Sequence, residues 1–115
     1  MIMVGHISAP AVTGDDTPAS MSKIMVTDVL RERMGYQGLV VTDAMNMDAI
    51  ARNYSSAQAA IASVKAGVDL ILMPKDLTSA YSGLLQAVRD GEIPEERIDE
   101  SVRRILEAKQ KIVSD

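Results

Sequence analysis

Asp43 is the residue in this sequence best placed to do chemistry. It follows Gly38-Leu39-Val40-Val41-Thr42, an apolar, β-branched run short enough for a buried strand. It therefore stands at that strand's carboxyl end, where parallel α/β folds gather their active sites. A carboxylate there serves as nucleophile, base or metal ligand. Equally, it would cap a short helix begun by Ala44 or Met45. His6, the only histidine, lies near the carboxyl end of another apolar run, Met1 to Ile7. It offers a hydrogen bond to a substrate or acid–base work; the alternative is a satisfied core imidazole. Ser8, His6 and Asp43 are the residue types of a nucleophilic triad, but the G-x-S-x-G turn that exposes such a serine is absent. Asp15-Asp16 is a carboxylate pair in a loop. Neighbouring loop residues face water, and no second His or Cys supports a metal site. No Gly-rich phosphate-binding loop occurs, so neither a metal nor another cofactor is expected.

The elements that must position these residues alternate. Met1 to Ile7 reads as a strand, and residues 11–17, with Gly14, Asp15 and Asp16, read as a loop. From about Ser20 to Met34, Val26, Val29, Leu30 and Met34 fall at helical spacing, with Gly35 as the end. After the strand Gly38–Thr42, residues 43–53 are irregular or a short helical turn. Ser55 to Ala66 is Ala-rich and helical, closed by Gly67. Val68 to Met73 is a further strand stopped by Pro74. Asp76 caps a helix to about Asp90, and Gly91 ends it. Pro94 suits the first turn of a last helix with an apolar stripe of Ile98, Val102, Ile105 and Ile112. The charged run from Glu95 to Arg104 reads as that helix's solvated face, with Glu96 and Glu100 repelling and Asp99 and Arg103 attracting. The order β-α-β-α-β-α-α implies an α/β fold with a parallel sheet. Three strands are few for such a sheet, so a part of a larger α/β protein, or a subunit completing its sheet with another chain, is expected.

Composition narrows the classes. The chain has 115 residues, 47% of them hydrophobic and 24% charged, which fits one soluble globular domain at most. Its net charge of −4 is a poor footprint for nucleic acid, which needs clustered positive charge. There is no cysteine, Phe or Trp, but there are eight Met, so the core must be built from Met and aliphatic side chains. No apolar run approaches the roughly 20 residues that span a bilayer. The segment Met1-Ile2-Met3-Val4-Gly5-His6 lacks the basic and apolar regions of a signal peptide, and a cytoplasmic location is expected.

The run Gly38-Leu39-Val40-Val41-Thr42-Asp43-Ala44-Met45-Asn46-Met47 resembles the nucleophile strand of family 3 glycoside hydrolases, and more narrowly that of the bacterial β-N-acetylhexosaminidase branch. Other segments agree in order and spacing. Met3-Val4-Gly5-His6-Ile7 resembles the preceding strand. Pro18-Ala19-Ser20-Met21-Ser22, with Leu30-Arg31 and Met34-Gly35-Tyr36-Gln37-Gly38, resembles the next helix and turn. Lys65-Ala66-Gly67-Val68-Asp69-Leu70-Ile71-Leu72-Met73-Pro74 resembles the last strand, and Ile98 to Leu106 is also typical. Ala44, where the β-glucosidase branch usually has an aromatic residue, favours the hexosaminidase side. The resemblance implies that residues 1–115 are the last three βα units of a (β/α)₈ TIM barrel plus a C-terminal helix. It implies a retaining mechanism with Asp43 as nucleophile and a carbohydrate substrate. His6 does not match the family's acid/base motif; His6 and Met45 are expected as substrate contacts.

In that branch the acid/base is a His paired with an Asp on a mobile loop of His-Phe-Pro-Gly-His-Gly pattern. This sequence has no such segment, nor the earlier Lys-His and Arg residues that hold the sugar. Two expectations follow. The chain is part of a β-N-acetylglucosaminidase acting on cell-wall glycans, or it is a non-catalytic barrel fragment that folds by self-association.

Overall fold

The computed structural model describes residues 1–114, the side chains of residues 49, 113 and 114 excepted. A small parallel sheet lies at its centre. β1 (Ile2–Val4) pairs with β2 (Val40–Thr42) in the register Ile2↔Val40, Met3↔Val41 and Val4↔Thr42. The third apolar run joins the opposite edge of β2 through one parallel bridge, Val41 to Leu70. Between and after these strands come α1 (Pro10–Thr13), a 3₁₀ turn (Ala19–Met21), a π-helix (Ile24–Arg33), α2 (Asp48–Ala51), α3 (Ser56–Ala66), α4 (Leu77–Arg89) and α5 (Glu95–Ser114). The fold is α/β, as the alternation of elements implies.

Three local expectations need correction. The strand expected over 68–73 is reduced to a single bridge. The Asp69 and Leu70 N–H groups both donate to the Val40 carbonyl, at 2.9 and 3.1 Å. Leu72 N–H then turns to the Thr42 hydroxyl at 3.1 Å, so a side chain replaces the next rung of the ladder. The loop expected over 11–17 contains α1, because Pro10 presets the backbone angle of a first helical turn and Gly14, at φ 83°, provides the exit. The helix expected from Ser20 to Met34 is a 3₁₀ turn followed by a π-helix, closed by a five-residue bond from Met34 N–H to the Val29 carbonyl at 3.0 Å. Val26, Leu30 and Met34 recur every four residues, a spacing that does not separate the two windings. Met34 is 70% exposed, so the buried stripe stops at Leu30.

The remaining ends follow the local chemistry. Asp76 Oδ1 accepts from Ser79 N–H at 3.1 Å and starts α4. Ser55 and Gln58 form a reciprocal capping box on α3, a pattern that fixes a helix start. Gly67 ends α3 at φ 118°, and a Cβ there would lie 2.6 Å from the Thr27 hydroxyl. Gly83 lets α4 approach α3: a Cβ there would meet the Ala57 methyl at 2.5 Å.

Three apolar clusters fill the interior. Val26, Leu30, Val40, Ala66 and Val68 pack with Ile2, Val4 and Tyr36. Met21, Met45, Ile50 and Ala59 form a second cluster, and Val64, Ala87 and Ile93 a third; Ile71 touches both.

The charged run of α5 is not simply a solvated face. Arg97 donates to the Val64 and Val68 carbonyls at 2.8 and 2.7 Å and to Ser101 Oγ at 2.7 Å. Ser101 Oγ in turn donates to Asp69 Oδ1 at 2.7 Å, and Arg104 reaches the same oxygen at 2.9 Å. Asp69 Oδ2 accepts from Arg31 at 2.7 Å and from Val40 N–H at 3.0 Å. The pair found on α5 itself is Arg104 with Glu100, at 3.9 Å. The Asp69 side chain is 0% exposed. Burial pushes its carboxyl up, but the bonds from Ser101, Val40 and Arg104, with the charge of Arg31, outweigh burial and leave it below the usual carboxylate range.

A carboxyl lowered in the folded state stabilises it above the unfolded carboxylate pKa of about 3.9 and loses that contribution as pH falls through the lower folded value. Asp69→Asn removes the charge but leaves Arg31 and Arg104 half-buried. Breaking one side of a buried pair costs about 3–5 kcal/mol. Equilibrium denaturation is expected to show a loss of that order at pH 7, with the gap to wild type narrowing below about pH 4.

Candidate active site

The carboxyl ends of β1, β2 and the Leu70 segment converge on the turn Asp43-Ala44-Met45. Each residue of that turn is tied to the sheet or to itself. Asp43 N–H donates to the Val4 carbonyl at the end of β1, at 2.9 Å. Met45 N–H donates to the Leu72 carbonyl, also at 2.9 Å. Ala44 N–H donates to Asp43 Oδ1 at 2.7 Å. The Ala44 carbonyl accepts from His6 Nε2 at 3.0 Å, with Met47 N–H at 3.4 Å. Thr42, wholly buried, carries the hydroxyl that receives Leu72 N–H. The turn is therefore held on both flanks before any ligand arrives.

Asp43 is half-buried. One carboxylate oxygen is spent on Ala44 N–H, and among the described residues no hydrogen bond reaches the other. It does not cap a helix, since α2 begins at Asp48 behind Met47. A carboxylate with one oxygen pinned and the other open, at the end of a central strand, is suited to attack an electrophilic centre or to take a proton.

His6 is half-buried, and both ring nitrogens are engaged: Nε2 by the Ala44 carbonyl and Nδ1 by Ser20 Oγ at 2.7 Å. Ser20 lies wholly buried in the 3₁₀ turn. A lone serine carries no spacing signal, so its place beside His6 is visible only in the fold. Met45 is 3% exposed; its side chain packs with Met21, Ile50 and Ala59 in the core. Ser8 stays apart from His6 and Asp43, donating to the Asp16 carbonyl at 2.6 Å, so these three residues form no triad. Asp15 is exposed and closes its own loop by accepting from Thr17 N–H at 3.0 Å and Thr13 at 3.2 Å. The Thr17 bonds hold its carboxyl below the usual range. Among the described residues, no three His, Asp or Glu side chains gather around a possible ion position.

Residues 1–108 match the glycosyl hydrolase family 3 N-terminal domain. The β-N-acetylglucosaminidase/β-glucosidase of Cellulomonas fimi is 36% identical over 117 residues, covering 94% of this chain and 21% of its own length. β-Hexosaminidase LpqI of Mycobacterium tuberculosis is 35% identical, covering 94% of this chain and 29% of its own length. The solved structure of a family 3 β-N-acetylglucosaminidase from Paenibacillus sp. str. FPU-7 superposes with a TM-score of 0.91 at 42% identity, over 94% of this chain and 21% of that one. The chain thus spans between a fifth and a third of the length of these relatives.

Proposed function

The chain belongs to glycosyl hydrolase family 3, and from that premise we propose that it supplies the nucleophile of a retaining β-glycoside hydrolase of the β-N-acetylglucosaminidase kind, acting on cell-wall glycans. The observation that carries this reading is the setting of Asp43: half-buried, at the carboxyl end of β2, with Oδ1 on Ala44 N–H and Oδ2 open. In the first step Oδ2 attacks the anomeric carbon, and the bond to the leaving oxygen breaks as an acid protonates it. In the second step water, giving its proton to the same group acting as base, displaces the carboxylate and restores the original configuration. The acid/base comes from polypeptide outside these 115 residues, as do most sugar contacts.

The same reading makes the chain the last three βα units of a (β/α)₈ barrel. Two observations support it. β1 and the Leu70 segment flank β2, and neither has a further strand neighbour among the described residues. Met3, between the half-buried Ile2 and Val4, is 55% exposed, and Leu72 and Met73 are exposed at the sheet's other edge. A closed barrel gives every strand two neighbours and fills its inner face with apolar side chains. These open edges also favour a second reading, a non-catalytic fragment that folds by pairing with copies of itself.

In the completed barrel, Asp43→Asn is expected to lower kcat on an aryl N-acetyl-β-glucosaminide by at least about 10³-fold, because the covalent step is lost. Turnover within tenfold of wild type would remove Asp43 from the role. The purified 115-residue chain is expected to lack measurable turnover, since general acid–base help alone is worth about 10²–10⁴-fold. Light scattering on it is expected to show an oligomer. Robust hydrolysis by mass-verified chain would contradict the assignment of the acid/base to other polypeptide, and a compact monomer would contradict the open-edge argument.

A further inference from the structure

We propose that His6 is a positioning residue for Asp43, acting through the Ala44 carbonyl and braced by the buried Ser20 hydroxyl; this rests on the reading of Asp43 as the nucleophile. A carbonyl oxygen only accepts, so the 3.0 Å contact between His6 Nε2 and the Ala44 oxygen places the ring proton on Nε2. In the neutral ring Nδ1 is then an acceptor, and the Ser20 hydroxyl, 2.7 Å away, is its donor. Both polar atoms of the imidazole are committed inside the protein. Neither can serve a sugar or shuttle a proton without giving up a bond that holds the turn.

What that bond holds is specific. The peptide between Ala44 and Met45 is gripped at its oxygen by His6 and at its N–H by the Leu72 carbonyl. The peptide one step earlier presents its N–H to Asp43 Oδ1 at 2.7 Å. The orientation of Ala44 therefore decides which carboxylate oxygen is tied and where the other points. Ser20 sits on the turn whose neighbour Met21 packs with Met45 in one cluster. The hydrogen-bonded route Ser20–His6–Ala44 and the apolar cluster shared by Met21 and Met45 thus connect the same two turns. Without His6 the turn keeps its bonds to β1 and Leu72, so the fold survives while Ala44 gains freedom to rotate.

The test is kinetic, on the completed barrel with an aryl N-acetyl-β-glucosaminide. In His6→Gln the side-chain amide can reach the position of Nε2 and donate to Ala44. In His6→Asn the amide ends near the position of Nδ1 and cannot. A displacement of about 1 Å at a reacting group costs on the order of 10²-fold, so His6→Asn is expected to lose about that in kcat with KM within about threefold. His6→Gln is expected to recover to within about tenfold of wild type, with the two variants matching in melting temperature. Ser20→Ala keeps the His6 side chain but removes the hydroxyl that braces its ring; its expected loss, about tenfold in kcat at constant KM, carries the test should His6→Asn not fold. A raised KM with unchanged kcat would put His6 on the sugar and overturn the proposal. So would equal kcat in all three variants and wild type. A wild-type barrel without turnover would instead overturn the reading of Asp43 itself, a result separable from an active wild type whose variants are unimpaired.

Discussion

Asp69 is a carboxylate taken wholly out of water and given donors from three other segments: Arg31 of the π-helix, the Val40 backbone of β2, and Ser101 and Arg104 of α5. The cluster lies where the third apolar run enters the sheet, and it fixes that run's register against β2. Asp69 and Leu70 N–H then meet the Val40 carbonyl, Thr42 N–H meets Leu70, and two residues on the Leu72 carbonyl meets Met45 N–H. The path ends on the turn that carries Asp43. A buried ionic cluster adds less to net stability than its contacts suggest, since each charge has lost its hydration. Its effect here is registry: a slip by one residue would turn every side chain of the third run to the other face and move Leu72 away from Met45.

The open face and the closed site share a cause. β2 is buried along its length because, among the described residues, it alone has a strand neighbour on each side. The flanking segments keep one edge each without a strand partner among the described residues, and Met3 and Met73 are exposed there. The residue at the end of the best-supported strand is Asp43. Its backbone is fixed by hydrogen bonds that survive even with the neighbouring sheet edges open. Preorganisation of that kind is what a nucleophile needs, since distance and direction to the reacting carbon carry much of the rate.

Much of this was legible in the residues. Apolar β-branched runs ending in polar residues mark β2 and its carboxyl end, and Gly67 and Asp76 announce helix boundaries through local chemistry that no distant contact overrides. The third run differs from the strand its residues suggest because five apolar residues and one Asp say nothing about which N–H groups find carbonyls; Thr42 Oγ1 takes one of them. The π-helix was illegible because a four-residue repeat suits either winding. Charge along α5 does not reveal that Arg104 reaches a buried carboxylate 35 residues away in sequence, or that Arg97 reaches backbone carbonyls 29 and 33 residues away. In the site, Asp43 declared itself by position, whereas Ser20 and the His6–Ala44 bond exist only once the chain has folded.

The central claim is that Asp43 forms a bond to the sugar, and the most direct measurement is to trap that bond. The completed barrel would be treated with a fluorinated aryl N-acetyl-β-glucosaminide that slows release of the sugar, digested, and examined by mass spectrometry. The account predicts one added sugar on the peptide carrying Asp43, absent from Asp43→Asn. A sugar attached to a different carboxylate would contradict it, as would release of product with inverted configuration and no covalent adduct.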